Sequence, residues 1–180
     1  MLGWIRSNEE RMLIWANRRP VTNRIHALMD GWFSAVTHLG GATFTLLAAL
    51  LCALLAPEPY GTAGWQSLLA VVISHIPVAI VKRKFKRLRP YQAMPDVRTC
   101  PKPLQDSSFP SGHTTAVFSW MVPFLLMGMI ESAILAPAAF LIAVSVGWSR
   151  MYLGLHYPSD VAAGAIIGTA TAFAVHYFWM

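Results

Sequence analysis

The sequence predicts an all-α fold: a polytopic bundle of transmembrane helices preceded by an amphipathic helix on the bilayer surface. Three observations carry this reading. The 180 residues are 56% hydrophobic and only 12% charged, a composition outside the usual range of soluble globular domains. Five segments reach the roughly 17 to 20 mainly apolar residues that a hydrocarbon core requires. The remaining polar residues collect in a few short stretches between them. One membrane domain over 1–180 is expected, with an interfacial helix in 1–25 and a transmembrane core in 31–180.

In chain order, the opening stretch MLGWIRSNEERMLIWANRRP interrupts its apolar residues with Arg6, Glu9, Glu10, Arg11, Arg18 and Arg19. That pattern suits a helix lying on the membrane, and it lacks the basic, apolar, small-residue order of a cleavable signal. Spans follow at 31–56, 65–81, 114–130, 132–148 and 161–179. PEPYGT after the first is a proline and glycine turn, and little beyond Glu131 separates the third from the fourth. The connection 82–110 is long, basic and proline-rich, whereas 149–160 is short and crowded with polar groups. Trp4, Trp15, Trp148, Tyr152 and Trp179 fall near expected interfaces, where aromatic belts form. Cys52 and Cys100 have neither CxxC spacing nor an evident partner, so no disulfide framework is implied.

Because successive spans reverse direction, the ends of spans two and four and the starts of spans three and five share one side of the membrane. Three polar clusters meet there: KRKFKRLRP (82–90), PSGH (110–113) and SRMYLGLHYPSD (149–160). Taken singly, each has a plain explanation. Basic residues beyond a span anchor it to headgroups. Ser111 or Asp160 can cap a helix, and Arg150 near a helix C-terminus complements the dipole.

Together they make a phosphate-transfer site. Lys82, Arg89 and Arg150 would neutralise a phosphoryl group, arginine through bidentate contacts and lysine as a point charge. Ser111 and Gly112 would present backbone N–H groups at the positive end of span three. His156 is then a nucleophile, Asp160 four residues later its orienter, and His113 the acid that protonates the leaving oxygen. Arg83, Lys84, Lys86 and Arg87 are read as charge that attracts headgroups. His26, His38, His75 and His176 stand outside the clusters and are read as structural.

The ordered set Lys-x6-Arg-Pro, Pro-Ser-Gly-His and Ser-Arg-x5-His-x3-Asp resembles the three-part signature of the type 2 phosphatidic acid phosphatase (PAP2) superfamily, complete from Lys82 to Asp160. The resemblance covers 65 to about 179. It implies a helical bundle, a phosphohistidine formed on His156, and no metal or other cofactor. By the same resemblance Lys82, Arg89, Ser111, Gly112, Ser149 and Arg150 hold the phosphate. Small bacterial members of similar length include undecaprenyl-diphosphate phosphatases, so hydrolysis of a prenyl diphosphate is the leading expectation. Phosphatidylglycerol phosphate or phosphatidate is the alternative substrate.

Two readings of other classes compete. A vanadate-dependent haloperoxidase shares similar motifs, but five spans oppose it. A catalytically silent lipid-binding or transport protein would need the cations but neither histidine. Expected partners are a lipid phosphate within the bilayer and membrane lipids, with no nucleic acid; oligomeric state carries no signal. For a multi-pass protein of the plasma membrane, Arg6, Arg11, Arg18, Arg19 and Arg24 on the catalytic side, against Glu58 and Glu131 opposite, predict a cytoplasmic site. The family resemblance implies the outer face, so charge and resemblance oppose one another.

Overall fold

A computed structural model describes residues 2–18, 24–127 and 134–179, and among them every regular secondary-structure element is a helix. The order is α1 (Leu2–Asn17), α2 (Arg24–Val36), a 3-10 turn (Thr37–Gly40), α3 (Ala42–Leu55), α4 (Tyr60–Phe85), α5 (Pro90–Ala93), α6 (Gly112–Leu126), α7 (Leu135–Tyr152) and α8 (Pro158–Trp179). The turn expected at Glu131, and Arg19 of the first segment, lie outside the described residues.

By length and apolar composition α4 and α8 can each cross a membrane, and α2 with α3 can form a third crossing bent by 61°. Helices α6 and α7 have 15 and 18 residues, at or below the short end of what a bilayer needs. The segment expected to be one straight span over 31–56 is therefore broken. Gly40 and Gly41 follow one another at the break, where the helical ladder tightens to 3-10 and then opens to extended backbone at Gly41.

The bundle places α6 against α8 and α4, with α3 packed along α4. Small residues allow this closeness: a Cβ on Gly164 would stand 2.6 Å from the Ser111 carbonyl, and one on Gly168 2.5 Å from that of Thr115. Large apolar side chains such as Leu51, Leu55, Ile76, Ile80, Ile166 and Phe173 point outward. Thr45, Gln66, Ser67, Ser74 and Ser119 are buried inside. Ser119 donates to Ser74 at 2.9 Å and Ser67 to the Trp120 carbonyl at 2.7 Å, tying α4 to α6. Of the histidines outside the motifs, His75 bonds the Val71 carbonyl of its own helix and His176 the Gln66 side chain, both structural contacts.

Helix α1 is more than a surface float. Leu13 is fully buried and, with Ala16, packs against Val97, Met151 and Tyr157. Trp4 and Trp15 remain exposed on the other side, and Asn17 donates to the Arg98 and Tyr152 carbonyls at 2.9 and 2.8 Å. The first helix therefore seals the end of the bundle where the polar clusters meet.

Gly40 is a tight point of that end, since an added Cβ would lie 2.6 Å from Val146 Cγ1 and 2.8 Å from the His113 carbonyl. Gly40→Ala is expected to destabilise the protein by about 1–3 kcal/mol, the usual cost of overpacking. Gly31→Ala, where a Cβ meets nothing within 4 Å, should be neutral or stabilising by up to ~1 kcal/mol. Thermal unfolding in detergent checks the pair, and equal melting temperatures would contradict the packing described.

Candidate active site

The site is assembled by two short non-helical segments lying side by side. Lys86, in the left-handed region at φ 43°, ends α4 and turns the chain so that Arg87 to Arg89 run beside 106–108. Ser108 N–H donates to the Arg87 carbonyl at 2.9 Å, Arg87 N–H to Ser107 Oγ at 3.0 Å, and Arg89 Nε to the Asp106 carbonyl at 2.9 Å. Pro90 then starts α5 at a position that needs no N–H donor.

His156 lies in the connection before α8 and is 1% exposed. Its Nδ1 is 2.7 Å from the Ser108 carbonyl and its Nε2 3.1 Å from Arg89 Nη1. A carbonyl can only accept and a guanidinium can only donate, so Nδ1 carries the proton and Nε2 holds a lone pair. Burial, and then the positive charges of Arg150, Arg89 and Lys82, hold this imidazole well below its ordinary range. It is neutral at physiological pH.

Arg89 is fully buried and spends its donors on the Asp106 and Leu155 carbonyls, the Asp106 carboxylate and His156. Lys82 Nζ reaches the same carboxylate at 2.5 Å. Arg150 is 3% exposed; Nη1 donates to Thr37 Oγ1 at 2.5 Å, whereas Nε is buried with no partner among the described residues. An unpaired buried donor costs about 1–3 kcal/mol, and more when charged, so the donor chemistry here fits an anion. His113 opens α6 within electrostatic reach of Arg150, His156, Lys82 and Arg89. A Cβ on Gly112 would meet nothing within 4 Å, which leaves open space at the same helix mouth.

Three expectations need correction. Asp160 does not hydrogen-bond the His156 ring: its carboxylate is 3.6 Å from Nδ1, at ion-pair range only, and the Ser108 carbonyl takes that proton. On a helix residues four apart share one face, but α8 begins at Pro158, after His156, and leaves the pair beyond hydrogen-bond reach. Asp160 instead accepts from the Tyr157 N–H at 2.8 Å and from Arg87 at 2.7 Å. The Ser111 N–H, expected to face phosphate, donates to the Asp160 carbonyl at 3.0 Å, and its hydroxyl caps α6 through Thr114. Ser149 turns its hydroxyl back to the Val146 carbonyl at 2.6 Å, satisfying it within its own helix.

Arg87, read from the sequence as headgroup-attracting charge, is a hub. It pairs with Glu9 of α1 at 2.9 Å and with Asp160, donates to Ser159, and lies 4.0 Å above the Tyr157 ring. Glu9 also accepts the Ser159 N–H at 3.0 Å. Sequence reasoning passed over Glu9, Thr37, Asp106 and Ser108. Asp106 carried one usable signal: it is one of only 8 acidic residues and sits in the basic connection. Ser108 acts through its carbonyl, which no side-chain pattern encodes.

Comparisons with known proteins place this geometry in context. The PAP2 superfamily profile matches residues 63–180. The chain is 35% identical over 119 residues to an undecaprenyl-diphosphatase of Sulfolobus acidocaldarius, covering 61% of this chain and 52% of that protein. It is 30% identical over 171 residues to phosphatidylglycerophosphatase B of Bacillus subtilis, covering 89% and 77%. It spans about half the length of several curated relatives, the Sulfolobus protein among them. The crystal structure of Aquifex aeolicus LpxE superposes with a TM-score of 0.77 at 25% identity, covering 93% of both chains. With the matched profile extending over well more than half of its residues, this chain belongs to the PAP2 superfamily.

Proposed function

We propose that the protein is a membrane lipid phosphatase that moves a terminal phosphoryl group from a lipid phosphate or diphosphate to His156 and then to water. The carrying observation is the geometry of His156: a buried imidazole whose Nδ1 donates to the Ser108 carbonyl, leaving its Nε2 lone pair facing Arg89. A ring fixed in that tautomer is a nucleophile, and cations around it stabilise the charge spread over phosphoryl oxygens.

In the first step the Nε2 lone pair attacks phosphorus and the bond from phosphorus to the lipid oxygen breaks. His113 gives its proton to that oxygen. Arg89 Nη1 exchanges its contact with Nε2 for a phosphoryl oxygen, and the unpaired Arg150 Nε takes another. In the second step water attacks phosphorus, His113 takes the water proton, the N–P bond breaks with its electrons returning to Nε2, and inorganic phosphate leaves. Asp160 and Arg87 brace the connection that carries His156.

A prenyl diphosphate such as undecaprenyl diphosphate is the proposed substrate, on the complete motif set and the named relative. Phosphatidylglycerol phosphate is a second reading, favoured by similarity to phosphatidylglycerophosphatase B across most of the chain. Phosphate release from undecaprenyl diphosphate, phosphatidylglycerol phosphate, phosphatidate and a soluble monoester, compared on the purified protein, decides between them.

His113→Ala is expected to lower turnover by about 10²–10⁴-fold, the range for a lost general acid, and His156→Ala by at least as much, with both variants folded. Wild-type turnover in either rejects the assignment. The pH profile gives an independent check. The folded His156 binds its proton more weakly than a free imidazole of pKa about 6.5, so the nucleophile stays neutral as pH falls. The acid limb of kcat/KM assigned to it should lie below that value, apart from the substrate's own ionisation near pH ~6. A limb at or above the free value contradicts the assignment.

A further inference from the structure

Lys82 and Arg89, two of the cations around His156, already hold an anion: the Asp106 carboxylate, with Oδ2 2.5 Å from Lys82 Nζ and Oδ1 2.7 Å from Arg89 Nη2. One guanidinium therefore touches the attacking nitrogen through Nη1 and this carboxylate through Nη2. The Asp106 side chain is 51% exposed, whereas those of Lys82 and Arg89 are 19% and 0% exposed. The carboxylate thus stands on the open side of the cation pair, where an arriving phosphoryl group would meet it.

The backbone around it is anchored independently. The Asp106 carbonyl accepts from Arg89 Nε, and Ser108 N–H and Oγ donate to the Arg87 and Leu88 carbonyls. The carboxylate can swing away by side-chain rotation alone, leaving Arg89 and the Ser108 carbonyl in register with His156.

Resting on the phosphatase reading, we propose that Asp106 is a specificity-determining counter-ion, bound to Lys82 and Arg89 before substrate arrives and displaced only by an anion of higher charge. A terminal phosphate brings up to two negative charges and three oxygens and displaces a single carboxylate. A bilayer phosphodiester brings one charge on two free oxygens and gains little by the exchange. The residue sets a charge threshold that keeps the abundant diester headgroups of the membrane out of the cation pair.

The test uses the full chain in detergent, wild type against Asp106→Asn, which keeps the shape and an acceptor but removes the charge, with Asp106→Ala as a second variant. Orthovanadate binding is measured by calorimetry, kcat and KM are measured separately, and inhibition by a short-chain phosphatidylglycerol is titrated. Asp106→Asn should bind vanadate about five- to tenfold more tightly, the scale of removing its two partly exposed ion pairs. It should also lower KM and become sensitive to the phosphodiester. Unchanged or weaker vanadate binding in both variants, or tightening without diester inhibition, overturns the proposal and leaves the phosphate site standing. Absence of vanadate binding in every variant, wild type included, overturns the phosphate-site reading and this proposal with it.

Discussion

The hydrogen bond from His156 Nδ1 to the Ser108 carbonyl is the constraint on which the site depends. It places the proton on one ring nitrogen and leaves the lone pair on the other, facing Arg89. Every larger feature bears on keeping that carbonyl in place. Lys86 turns the chain out of α4, the segment from Arg87 to Arg89 pairs with 106–108, and the hydroxyl and N–H of Ser108 are both tied to that segment. A histidine merely near a membrane interface would have no preferred tautomer; this one does because a backbone oxygen fixes it.

The same neighbourhood concentrates positive charge where water is scarce. Burying a guanidinium is costly unless its donors are met, and Arg89 meets the cost with two carbonyls, a carboxylate and an imidazole. Arg150 does not: among the described residues its guanidinium is bonded to Thr37 alone, and Thr37 is delivered by the break between α2 and α3. That break, held close to His113 by Gly40, is thus more than an irregularity in a span. It brings a hydroxyl to a buried cation and leaves that cation with a donor to spare. On the far side, Glu9 of α1 and Asp160 of α8 share Arg87, so the N-terminal helix is mechanically joined to the loop that carries His156.

Much of this was legible in residue order. The helical class, the membrane character and the gathering of three polar clusters at one end follow from composition and alternation of spans. The positions of Lys82, Arg89, His113, Arg150 and His156 follow from motif spacing. What was not legible depends on local backbone conformation. The four-residue spacing of His156 and Asp160 reads as a facing pair only if both lie on a helix, and α8 begins between them. The stretch 31–56 reads as one span because hydropathy does not register a bend at Gly40 and Gly41. Arg87 looks like its basic neighbours until the fold brings Glu9 and Asp160 to it from 78 and 73 residues away in sequence. Asp106 showed in the sequence only as an acid in a basic connection, since its meaning lies in contacts across that connection.

The most direct test of the central claim is the ¹⁵N spectrum of His156 in protein labelled at histidine, assigned by comparison with His156→Gln. At neutral pH the account expects a neutral ring protonated at Nδ1, with a non-protonated Nε2 that persists as the sample is acidified below the ordinary imidazole range. An imidazolium, or a neutral ring with its proton on Nε2, would contradict it, because neither leaves a lone pair at the nitrogen proposed to attack phosphorus.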